Sequence, residues 1–155
     1  MPGDSSLTTL TEDWIVSILE GTSLFDTVEP FPGNHSPDPQ TLVKEMLGNR
    51  STYACVLFEG DTLQVLEEHE PQQEAIYGIY IAVQNLRGGG SARRGDGPKK
   101  GTNWFRDILR SYFHSARPGL LNNGWFLDLV RWGGIRTVWQ SSTAWVLRAE
   151  LVTTE

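Results

Sequence analysis

The stretch from Gln73 to Leu86 constrains the fold more than any other, because it is long, rich in strand formers and alternating. Tyr77, Ile79, Ile81 and Val83 share one parity, and Ile76, Tyr80 and Ala82 the other. Side chains of a strand point to opposite faces in turn, so this segment presents a strongly apolar face that needs neighbouring strands and a covering layer. It feeds directly into Arg87-Gly-Gly-Gly-Ser-Ala-Arg-Arg-Gly-Asp-Gly-Pro-Lys-Lys-Gly101, in which five basic residues, six glycines and one acid occupy fifteen positions. Such a composition buries too little apolar area to offset its ordering entropy, and it predicts a flexible cationic arm over 87–101. Fully extended, the arm would reach about 50 Å. A domain of this length has a radius of gyration of only about 15 Å. That reach points to assembly rather than to chemistry.

The elements around the arm follow from spacing. Thr9-Leu-Thr-Glu12 has the form of a capping box, and Leu10, Trp14, Ile15, Ile18 and Leu19 recur at helical intervals before Gly21, which predicts a first helix. Val28-Glu-Pro-Phe-Pro-Gly33 reads as extended. A second helix is expected to begin at Asp38, with Pro39 at its first position, Leu42, Val43, Met46 and Leu47 as its buried stripe, and Gly48 beyond its end. Thr52–Glu59 and Thr62–Glu67 around Gly60-Asp61 suggest a hairpin. A third helix is expected over about Thr102–Ala116, with Trp104, Phe105, Ile108, Leu109, Tyr112 and Phe113 on one side. Phe126–Trp132, Ile135–Gln140 and Ala144–Val152 read as closing strands, with Gly133-Gly134 and Ser141-Ser142 as turns. The order predicts an α+β fold, a mostly antiparallel sheet with helices packed on it, in a single domain over 1–155.

Composition bounds the function classes. The chain has 155 residues, 39% of them hydrophobic and 21% charged, as expected of a globular protein. No apolar run approaches a membrane span, and the N-terminus lacks the basic start and apolar block of a signal peptide, so a cytoplasmic origin without membrane association is expected. The net charge is −6, yet the arm alone carries +4, so it can pair with an acidic neighbour or face a polyanion. Cys55 lies in the apolar run Tyr53–Phe58 and reads as a buried thiol. Six tryptophans are many for this length, and Trp132 and Trp139, flanking the Gly133-Gly134 region, are candidate interface aromatics.

Patterns that carry chemistry are sparse. The glycine-rich segment joins a strand to a helix as phosphate loops do, but Lys99-Lys100 precede Gly101 and the Walker A register is absent. His35, His69 and His114 lack metal-ligand spacing, so neither a metal nor a cofactor is expected. Glu67, Glu68, Glu70 and Glu74 cluster around His69, a combination that could serve a hydrolase, but they read more simply as a solvated turn. Arg94-Gly95-Asp96 spells an integrin-binding tripeptide and Asn49-Arg-Ser51 a glycosylation acceptor, neither meaningful in a cytoplasmic setting. No catalytic residue is assigned, and an enzyme is not expected.

The order of an N-terminal helix, Val28-Glu-Pro-Phe-Pro-Gly33, an apolar strand, a long alternating strand, an Arg/Gly-rich loop with Ala92-Arg93 and Gly97, and a helix opened by Gly101-Thr102 resembles Mu-like phage tail proteins. That family is similar in layout to the tail terminators, or tail-completion proteins, of long-tailed phages. The resemblance implies a virion structural protein of the neck, made in the host cytoplasm. It implies a hexameric ring that caps the tail tube of a contractile tail and joins it to the head–tail connector, with the sheath as a further neighbour and DNA only passing through the channel. Arg87, Arg93, Arg94, Lys99 and Lys100 would then make assembly or polyanion contacts. The alternatives are a nucleic-acid-binding module gripping phosphates with those five residues, or another neck adaptor.

Overall fold

The computed structural model describes residues 6–33, 37–64, 72–97, 99–113, 119–120, 126–127 and 129–154. The elements in order are α1 (Leu7–Gly21), β1 (Thr27–Pro30), α2 (Pro39–Thr41, continuing as a π-helical stretch Leu42–Leu47), β2 (Thr52–Gln64) and β3 (Gln72–Gln84). Then come α3 (Gly89–Arg94), α4 (Thr102–Phe113), β4 (Gly119–Leu120), β5 (Phe126–Leu127), β6 (Leu129–Gln140) and β7 (Ala144–Thr154). Five strands form one mixed sheet in the order β1-β2-β3-β7-β6, and β4 pairs with β5 apart from it. Only β1 is parallel to its neighbour; the other pairs of the sheet are antiparallel. The fold is α+β, with helices packed on a mostly antiparallel sheet.

The alternation of β3 sets up two apolar layers. Tyr77, Ile79, Ile81 and Val83 join Leu147, Ala149 and Leu151 of β7 under α1 and α4, which contribute Ile15, Val16 and Leu19, and Phe105, Leu109 and Phe113. Tyr80 and Ala82 face the other way, with Tyr53, Cys55 and Val146, under Leu42 and Leu47. Each fully buried Ile, Leu or Phe stabilises the fold by about 2 kcal/mol relative to exposure. The π-helical stretch has a geometric use. Gly48 N–H donates to Val43 C=O five residues back at 3.2 Å, and the widened turn brings Leu42 and Leu47 to the same side. Gly48, at φ +56°, then ends the helix in a conformation that suits glycine.

Several sequence expectations are corrected. The first helix is capped by Ser6, whose Oγ accepts from Thr9 N–H at 3.1 Å, so Thr9-Leu-Thr-Glu12 is not the capping box. Glu12 instead reaches β2 and accepts from Phe58 N–H at 2.8 Å. Gly60-Asp61 is not a hairpin turn: β2 runs through it with a bulge between Phe58 and Gly60 and pairs along its length with β3. Gly133-Gly134 is likewise a bulge inside one continuous β6, with Gly134 at φ +107°. Ser141-Ser142 is the turn expected, closed by Ser141 N–H to Ala144 C=O at 2.8 Å. The C-terminal end expected for the third helix, from His114 to Ala116, lies outside the described residues, as does Glu67.

Burial pushes the Glu12 carboxyl above its ordinary range, against the opposing effect of the Phe58 N–H, and the neighbouring Asp13 charge adds to it. A carboxyl pKa raised by folding favours the protonated form. Its contribution is therefore fully present below the unfolded pKa and lost as pH rises through the folded value. Gln at this position is neutral throughout and can still accept from Phe58. Glu12→Gln is expected to raise Tm at neutral pH, with the gain shrinking toward about pH 4, as thermal melts across that range would show.

Candidate functional site

The basic segment is folded back on the sheet, not extended from it. Asn85, just past β3, donates from its side-chain amide to Asp96 at 3.1 Å and accepts from Arg87 N–H at 3.0 Å. Asp96, the one acid among the cations, also pairs with Arg87 at 3.3 Å and closes a small turn with Lys99 through backbone bonds in both directions. Between them lies α3, whose Ala92 is fully buried. The arm expected from composition therefore gives way to a compact strap: Asn85 and Asp96 satisfy polar groups locally, and Ala92 supplies the apolar contact that glycine and lysine cannot. Asp96 of Arg94-Gly95-Asp96 is engaged in this strap.

The strap presents its cations outward. Arg87, Arg93, Arg94, Lys99 and Lys100 are all exposed. Arg93 lies over the Trp145 ring at 5.7 Å and Lys100 over Trp104 at 5.4 Å, so two of the five charges are held on aromatic faces. A small cavity of about 230 Å³ opens beside Lys99, Lys100 and Trp104, and Asp26 shares its wall. The candidate interface tryptophans are divided: Trp132 packs against the main core and Trp139 against the second, on opposite faces of the sheet. Both are partly buried, so neither stands free on the surface.

A second constellation was not legible in the sequence. On the face opposite α1 and α4, beyond the end of the cover that α2 provides, Glu59, Tyr80, Arg148 and Glu150 line an open groove of about 780 Å³, with Pro37, Pro39, Arg136 and Val138. Arg148 Nε donates to both Glu59 oxygens at 3.0 and 3.3 Å, and its Nη2 reaches Glu150 at 3.2 Å. Tyr80 OH donates to Glu59 at 2.9 Å. Glycines make room for the carboxylates: a Cβ at Gly78 would collide with Glu59, and one at Gly133 would meet Glu150 at 2.9 Å.

Burial opposes charge on Arg148, but the Glu59 bond and charge, with Glu150, outweigh it and hold its pKa above the ordinary value. Burial, then the Glu59 bond and charge, likewise push the Tyr80 phenol up. The groove is thus a surface of fixed charge in which Arg148 stays cationic and Tyr80 stays a donor near neutrality. The Arg148 and Glu59 side chains are only 16% and 20% exposed. Arg148→Ala leaves Glu59 without its main partner and is expected to cost about 2 kcal/mol, between an exposed and a fully buried pair, as urea denaturation would measure. A fully exposed pair would lose under about 1 kcal/mol.

Cys55 is fully buried beneath Leu42 and Leu47, as expected. Burial, with some help from the Glu29 charge and against the Tyr53 hydroxyl, pushes its thiol up to about 12. Native protein is expected to resist iodoacetamide at mildly alkaline pH and to be alkylated readily once unfolded in denaturant, as mass spectrometry would show. Glu74 is buried in β3 and bonded to Arg131 at 3.0 Å, while Glu67, Glu68, Glu70 and all three histidines lie outside the described residues. Among the described residues no group of three His, Cys, Asp or Glu is placed to hold a metal, and no helix is long and apolar enough to cross a membrane. No family model and no curated protein matches the chain.

Proposed function

We propose that this chain is a phage virion structural protein, a tail terminator whose copies form a ring that caps the tail tube and meets the head connector. The observation that supports this reading best is the open edge of β6, twelve residues long and without a strand partner among the described residues. Unpaired strand edges invite pairing or docking with another chain, and proteins that remain alone usually cover them. The saturated ion network of the groove supports it too, since Glu59, Arg148 and Glu150 bind one another rather than standing ready for a substrate.

The exposed cations of the strap, two of them stacked on tryptophan, favour one second reading, a nucleic-acid-binding module. The two separate in one experiment: the mass of purified protein alone and mixed with tail tubes, followed by electron microscopy. A ring at one tube end is expected. A strict monomer that ignores tubes, yet binds DNA with a steep salt dependence, would overturn the terminator in favour of the second reading.

A further inference from the structure

Charge is segregated along the chain. Residues 1–86 hold 14 acidic and 2 basic side chains, whereas residues 87–155 hold 11 basic and 5 acidic ones. The strand order carries part of this into space among the described residues: β1 and β2 form one end of the sheet and β7 and β6 the other, while Lys99 and Lys100 of the strap are the exception and stand beside Asp26 near β1. α1 lies against β1 and β2, and α4 against β6 and β7.

The outward helix faces carry the division to the surface. On α1, Glu12 reaches β2 and Trp14 meets Phe113 of α4, so exposed Asp13 and Glu20 fall on the remaining face, leaning to the Glu12 side and away from α4. On α4, Arg106 lines a groove of about 450 Å³ against the edge strand β6, whose Arg136 borders both this groove and the one on the opposite face of the sheet, and Arg110 follows Arg106 one turn later on the same side of α4. All three arginines are exposed, and Asp107, bonded to Arg106 at 2.8 Å, is the acid among them.

We propose that the basic α4–β6 end of one copy docks on the acidic α1–β1 end of the next. The contact is head to tail, and the proposal rests on the ring-forming reading above. A nucleic acid would satisfy the basic end and be repelled by the acidic one, whereas a second copy satisfies both. A contact between unlike ends uses two different patches, so successive copies follow one another in a single direction and close into a ring where the rotation permits.

The test is sedimentation of the whole chain at low and high salt, with and without tail tubes. Wild type is expected to associate at low salt. R106E/R110E/R136E, acidic at both ends, and D13K/E20K, basic at both ends, should each self-associate roughly 100-fold more weakly. An equimolar mixture of the two should associate again. All five positions are exposed, and circular dichroism with thermal melts verifies that both variants fold. Variants that assemble as wild type does would overturn this contact while leaving the ring-forming reading in place. Wild type that stays monomeric at every salt, alone and with tubes, would overturn both. A wild-type monomer whose DNA binding disappears in R106E/R110E/R136E would assign the basic end to nucleic acid and overturn the contact.

Discussion

Phe105→Ala is expected to destabilise the protein by about 4 kcal/mol, through lost apolar transfer and the cavity left behind. For a chain of this size that lowers Tm by roughly 10 °C. Phe105 is 2% exposed and sits where three elements meet. Its ring stacks on Phe25, which leads into β1, with centroids 4.9 Å apart, and it meets Trp104 edge-on at 5.2 Å. The loss therefore loosens α4 from the sheet and also the approach to β1. Phe105→Leu, which retains most of the volume, should cost under about 1.5 kcal/mol. Equal losses for the two variants in calorimetry would show that the ring has no well-packed partner.

Gly101→Ala is expected to cost about 3 kcal/mol and to unseat the strap. A Cβ there would collide with Arg93 C=O and with Gly95 N–H, both backbone groups that cannot turn aside as a side chain can. Overpacking of this kind costs about 1–3 kcal/mol, and the contact with main chain on two sides places it at the upper end. Gly90→Ala is the control. Gly90 lies in α3 with nothing within 4 Å of its added Cβ, so alanine should be neutral or stabilise by up to about 1 kcal/mol. Hydrogen exchange would localise the difference: faster exchange of Ala92 and Gly95 amides in Gly101→Ala, and unchanged exchange in Gly90→Ala. An unperturbed strap in Gly101→Ala would mean that Arg93 and Gly95 do not approach Gly101 closely in solution.

The strands were legible because their signal is local, and their pairing was not. Gly60 and Gly134 both have positive φ, and such a glycine serves a turn and a bulge equally well. What distinguishes the two is whether a partner strand continues alongside, as β3 does for β2 and β7 does for β6. Glu12 shows the same ambiguity at a helix start. Its spacing from Thr9 suits a local cap, but β1 stops pairing with β2 at Val56, and the Phe58 N–H two residues on, 46 positions from Glu12, donates to the carboxylate instead.

The contacts of the basic segment lie beyond the reach of its composition for a related reason. Its composition does describe poor apolar burial, and five of its side chains are exposed cations. Counting residues could not show that Asn85 and Asp96 would meet across eleven positions and fold it back, or that Ala92 would find a buried seat. In the groove, Arg148 and Glu59 stand 89 positions apart. The one local hint was that Arg148 and Glu150 share the outward parity of an otherwise apolar strand.

The sequence by itself determined the α+β class, the three principal helices, the two-faced character of β3 and β7, and the burial of Cys55. These depend on periodicity and hydrophobicity along a few consecutive residues, which backbone geometry converts directly into faces. Only the tertiary structure decided the bulges, the π-helical turn, the folded strap, the Glu59–Arg148–Glu150 network and the division of charge between the two ends of the sheet. Each of these depends on which distant segments become neighbours, and register between strands is set by packing across the whole sheet rather than by any one strand.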